Sequence, residues 1–216
     1  MMGDMSAFNL SSAFVTFFAV VGPPKVLLSF AQLARDRDPK ELVRLAAVSS
    51  GVAGLVGVTM AYSAGAIASL FHIGHESLEL AGGLIFFTYA LGLVLGIHLG
   101  GAEADDTHLA NPLADGVREL LLPYVASPLA ISAVLVESLD KDTFSWDTTI
   151  ATAYLAVVVI NFLSVLILAP LLRRLHRTTL EVLSRLLGLL LAALGVEQFL
   201  DGLYALGVPV REALGH

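Results

Sequence analysis

Cysteine is absent from this chain, which excludes a disulfide framework and any thiolate-held metal. Charge is scarce: Asp, Glu, Lys and Arg make up 14% of the residues, with 12 cations against 19 acids. A net charge of −7 leaves no basic footprint for a nucleic-acid partner. No Lys or Arg precedes the first apolar run, so the basic n-region of a cleavable signal peptide is missing and that run is expected to stay in the mature protein. No phosphate-binding glycine loop occurs, so any pumping has to draw on a gradient or on a separate partner.

What is there instead is hydrocarbon. Hydrophobic residues make up 56% of the chain, and its mean hydropathy of +0.82 exceeds what a soluble surface tolerates. A bilayer core of about 30 Å takes about 20 apolar residues per helix. Runs of that length fall at roughly 8–34, 42–70, 77–100, 113–138, 147–172 and 181–206. The expected fold is an all-α, multi-pass membrane protein with six transmembrane helices, one transmembrane domain over 1–216. The connections between runs, such as Arg35-Asp36-Arg37-Asp38-Pro39-Lys40, are too short for a soluble domain.

Cations set the orientation, because Lys and Arg are retained on the cytoplasmic side. Arg35, Arg37, Lys40 and Arg44 fill the first connection and Arg173, Arg174, Arg177 and Arg185 flank the fifth, whereas His72-Ile73-Gly74-His75 has none. Odd connections are therefore expected inside and both termini outside. The third follows by alternation alone, since 100–116 carries Glu103, Asp105, Asp106 and Asp115 but no cation. Trp146 and Phe144 fit an outer aromatic belt.

Shifting spans one to three by about 105 residues lands them on spans four to six, and carries Pro23 onto Pro128 and Gly83 onto Gly188. Three is odd, so the second copy enters from the opposite side: a 3+3 inverted repeat, 8–100 and 113–206, as in many secondary transporters. Helices one and four are broken, at Gly22-Pro23-Pro24 and across Pro123-Tyr124-Val125-Ala126-Ser127-Pro128. A proline removes a donor and frees the carbonyl one turn earlier, and in hydrocarbon that group needs protein, water or ligand. Each half-helix beginning at a break offers N–H groups to an anion such as a carboxylate. The plainer alternative is that these prolines only kink their helices. Symmetry-related breaks favour a substrate site, built from Gly22, Pro23, Pro24, Lys25, Ala126, Ser127 and Pro128.

At these residues the chain resembles the MarC family of multi-pass bacterial membrane proteins, in the lysine-exporter-like superfamily. The resemblance runs through Gly22-Pro23-Pro24, Leu80-Ala81-Gly82-Gly83-Leu84-Ile85-Phe86-Phe87, the second break from Leu122 to Ser132, Arg185-Leu186-Leu187-Gly188, Val196-Glu197-Gln198-Phe199 and Gly202. It implies a bacterial cytoplasmic-membrane location and transport of small neutral amino acids, with export or a channel for another small metabolite or ion as the alternative. It also implies departures. Relatives are expected to read Asn-Pro-x-Gly at the first break, Gly-Pro-Gly at the second, and Arg where Glu79 stands.

Lys25 is expensive inside a span and marks a functional site by default. Glu197 and Asp201 in span six are its candidate partners, with Gln198 beside them and Asn161 in span five as a neutral neighbour. At about 1.5 Å per residue Lys25 lies roughly 14 Å deep and Glu197 roughly 24 Å, so a direct pair needs the chain to bend. Two readings stand: Lys25 holds a substrate carboxylate while Glu197 carries a coupling proton, or Lys25 snorkels and Glu197 is satisfied between helices.

Small residues read as packing. Gly92, Gly96 and Gly100 in span three, and Gly188 and Ala192 in span six, recur every fourth residue and bring helices close. Ser50, Gly51, Gly54, Gly57, Ser63 and Gly65 in span two fit either a static contact or a sliding one. His72, His75 and Glu76 lack further ligands, so no metal and no cofactor is expected. Ser127, Ser132 and Asn161 form no catalytic set, so no enzyme is expected. The expected partners are the bilayer and a small-molecule solute, and a homo-oligomer is compatible with the sequence.

Overall fold

The computed structural model describes residues 2–23, 38–96, 128–141, 143–172 and 177–209. The regular structure among them is helical: α1 Met2–Val21, α2 Pro39–Phe71, α3 His75–Leu95, α4 Pro128–Leu139, α5 Phe144–Leu172 and α6 Arg177–Ala205. Four of these are long and apolar enough to cross a membrane, over Lys40–Phe71, His75–Leu95, Phe144–Leu168 and Glu181–Ala205. The apolar part of α4, Leu129–Leu139, has about half the length a crossing needs.

Local chemistry sets the ends. α2 starts with Pro39 at its first turn, where a missing N–H costs nothing, and carries Glu41 near the positive end of the helix. It stops at His72, whose left-handed φ of 54° turns the chain into α3. α3 ends sooner than the expected 100, because Gly96 adopts φ 75° and its N–H closes the helix onto the Gly92 and Leu93 carbonyls.

α3 and α6 lie antiparallel at backbone contact. A Cβ on Gly83 would stand 2.6 Å from the Gly195 carbonyl oxygen, one on Gly195 2.7 Å from the Phe87 nitrogen, and one on Gly188 2.9 Å from Leu93. Gly202 closes the same seam against Leu80 and Glu76. The stripe on α6 runs through Gly188, Gly195 and Gly202, seven residues apart, with Ala192 half-buried against the core. Gly92 is buried, but Gly96 is a cap with open space around it, and Gly100 lies outside the described residues.

α2 and α5 are also antiparallel: Tyr62 faces Phe144, with ring centroids 5.5 Å apart, and the Tyr154 ring fills the notch left by Gly57. α1 runs parallel to α5, with Phe17 edge-on to Tyr154 at 5.5 Å and Val21 beside Asn161. α4 packs on α1, α2 and α3. Tyr154 therefore joins three helices at the centre of a buried cluster with Phe17, Val20, Leu45, Leu129, Val134 and Ile150. In the second helix, Gly54 meets Leu155, whereas Gly51 and Gly65 face open space, so only part of the expected small-residue surface is a contact.

Trp146 departs from the expected lipid-facing belt. It is buried, and its Nε1–H donates to the Glu137 carbonyl at 2.7 Å. Lys141 Nζ stands 4.1 Å above its ring. The indole thus ties α5 to the end of α4, while Phe144 is the exposed aromatic.

Candidate functional site at the first helix break

α1 ends at Val21, and Gly22 is a bend. A Cβ on Gly22 would run into the Phe18 carbonyl oxygen, so the chain can tighten here only because Gly carries no side chain. Gly22 and Pro23 are buried. Pro24 has no N–H to offer the Val20 carbonyl.

The Val21 carbonyl is not left bare. Asn161 Nδ2–H, from α5, donates to it at 2.7 Å, a buried bond between side chain and backbone across 140 residues of sequence. Asn161 is 6% exposed. Its amide oxygen Oδ1 is buried and has no hydrogen-bond partner among the described residues. The Ser49 hydroxyl oxygen on α2 is in the same condition. This sets Ser49 apart from Thr59, Ser69, Thr148, Thr149 and Thr152, whose hydroxyls donate to carbonyls three or four residues earlier.

Pro128 opens α4 at the second break. Just inside it, Ala130, Ile131 and Val134 join Val56, Gly57, Met60 and Tyr154 around an apolar crevice too narrow for a water molecule. Pro24, Lys25, Ala126 and Ser127 lie outside the described residues, and so does the choice between Lys25 pairing with Glu197 and Lys25 snorkelling.

The span-six candidates sit elsewhere, on the helix that packs against α3. Glu197 is exposed, Gln198 and Asp201 are half-buried. The Gln198 amide stands over Gly82, with its Oε1 buried and without a partner among the described residues. Around this end gathers a pair the sequence reading passed over, Glu137 bonded to the Thr16 hydroxyl, and beside it His75 Nε2 lies 3.1 Å from Glu79. Glu79 is in turn within Coulombic reach of Asp201 and Asp140. Glu137 was findable as an acid near the end of an apolar run. Ser49 carried no such signal, since a serine in a span usually back-bonds to its own helix.

The model of the MarC family integral membrane proteins matches residues 8–206. The chain belongs to the MarC family. Relatives within it include the UPF0056 membrane protein of Archaeoglobus fulgidus, 27% identical over 196 residues that span 89% of this chain and 91% of that one. UPF0056 membrane protein YhcE of Escherichia coli is 29% identical over 201 residues, 88% and 89% of the two chains. YvbG of Bacillus subtilis, a UPF0056 membrane protein, is 26% identical over 88% and 92%. These names speak of membrane proteins and not of catalysis or cargo. No solved structure matches this MarC chain.

Proposed function

We propose that this MarC protein is a secondary transporter of a small solute, with a small neutral amino acid as the leading substrate class. It works by alternating access of two inverted three-helix repeats, with both termini outside the cytoplasmic membrane of a bacterium. The observation that carries the reading is the buried bond from Asn161 to the Val21 carbonyl. A casual kink is relieved within its own helix or by water. A break beside which a side chain of a distant span donates to the backbone is built, and in hydrocarbon a built break serves a site.

The packing supports the repeat. α1 packs on α5 and α4 packs on α2, the exchange expected if a two-fold axis relates spans one and two to spans four and five. α2 against α5 and α3 against α6 are then pairs across that axis. In this reading the half-helix opened by Pro128 receives the carboxylate, Lys25 reinforces it, and a proton gradient is the coupling source.

Uptake of radiolabelled glycine and alanine into proteoliposomes under an imposed proton gradient tests this. Saturable uptake by the intact protein, lost in Lys25→Ala and Glu197→Gln, is the expected result. Absence of uptake of both amino acids by folded protein overturns the substrate class.

A further inference from the structure

The break holds a second feature that its own repair does not use. Asn161 spends its amide N–H on Val21, which aims its Oδ1 away from that carbonyl as a buried, unpaired acceptor. Ser49 is 7% exposed and its hydroxyl oxygen is equally unpaired. The register of the antiparallel pair sets the two at nearly one level. From the contact of Gly57 with Tyr154, eight residues back along α2 reach Ser49 and seven on along α5 reach Asn161, nearly the same rise at about 1.5 Å per residue. Both lie on the inward stripes of their helices: Leu45, Ser49, Ala53, Gly57 and Ala61 on α2, and Ile150, Tyr154, Val157, Asn161 and Val165 on α5. Two oxygens without donors at one level of an apolar interior are costly, since a buried unsatisfied polar group forfeits its hydration.

We propose that Asn161 Oδ1 and Ser49 Oγ are an acceptor pair that binds the primary ammonium of the solute held at the α1 break. This rests on the transporter reading above and gives its substrate a second contact: a carboxylate at the Pro128 half-helix and an ammonium at Asn161 and Ser49. It selects for solutes carrying N–H donors at one end. Acetate, which has the carboxylate alone, engages only the other half of the site. Methylammonium, which has the donors alone, engages only this one.

Ser49→Ala is the discriminating variant. It removes the hydroxyl without making a cavity, and that oxygen supports nothing else among the described residues, so the folded protein keeps or gains thermal stability. Asn161→Leu also strips Val21 of its donor and serves as a second variant, read only if it folds. The measurement is equilibrium binding of radiolabelled glycine and methylammonium to the purified protein in nanodiscs, with acetate as competitor. Ser49→Ala is expected to weaken glycine and methylammonium about tenfold, the loss of one charge-assisted hydrogen bond, and to leave competition by acetate unchanged. Glycine and methylammonium bound equally well by Ser49→Ala and wild type overturn the pair, leaving two oxygens that serve packing or a buried water. Binding of neither probe to the wild type overturns it as an ammonium site. Methylammonium bound in a Ser49-dependent way while glycine fails to bind supports the pair and sinks the amino acid reading.

Discussion

At the scale of the residue, one side chain decides how the first break is tolerated. Asn161 is both a donor to Val21 and a buried acceptor, and its two halves predict different things. Asn161→Val leaves the Val21 carbonyl unpaired in the interior and is expected to cost about 1–3 kcal/mol, read as a lower unfolding temperature in detergent. Ser49→Ala touches no existing bond and lowers nothing. Gly22→Ala forces a methyl group against the Phe18 carbonyl and is expected to cost about 1–3 kcal/mol, with the loss visible in the same melt. A Gly22→Ala protein as stable as wild type would show that the chain leaves α1 by a different path. Sequence pointed to the prolines as the break, but the glycine before them sets how closely the backbone approaches the Phe18 carbonyl.

At the scale of the element, α3 and α6 are held by backbone proximity more than by side-chain bulk. Lipid tails are as apolar as leucine, so burial gives little drive between helices and close contact has to supply it. The α3–α6 seam shows this, with Gly83 and Gly195 each facing the other's main chain. Gly195→Leu is expected to part the two helices and to cost at least the 1–3 kcal/mol typical of overpacking, whereas Gly65→Ala, facing open space, is neutral or stabilising by up to about 1 kcal/mol. Thermal unfolding of the two variants side by side checks the contrast. Trp146→Phe keeps the apolar ring but gives up the bond to the Glu137 carbonyl, for an expected loss of about 1 kcal/mol. A lone tryptophan at the start of an apolar run reads as a lipid belt. Its burial follows from the short turn that folds α5 back beside the end of α4, a contact that hydropathy cannot foresee.

At the scale of the whole molecule, the antiparallel pairing of α2 with α5 fixes which ends lie together. The turn between α2 and α3, at His72–Gly74, and the one between α4 and α5, at Asp140 to Thr143, share one end, where Tyr62 meets Phe144 and Glu79 senses Asp140. The cation pattern predicts that this end faces outside. The absence of native cysteine makes the test clean: single cysteines at Ile73 and Lys141 are expected to react with a membrane-impermeant maleimide from outside intact cells, and one at Asp38 only after permeabilisation. Labelling of Ile73→Cys and Lys141→Cys from opposite sides would break the arrangement.

Sequence alone determined the solvent, the helical class, the family and the place where the first helix stops. Each follows from a property counted along the chain: apolar length against bilayer thickness, the missing N–H of proline, the order of motifs. Only the tertiary structure decided what meets at that place. That Asn161 reaches Val21, that Ser49 comes to its level with an oxygen unspent, and that Gly195 meets the main chain of α3 all depend on the register between helices. Register is set by packing across the whole bundle, where residues far apart in the chain share one level, and no periodicity within a single helix encodes it.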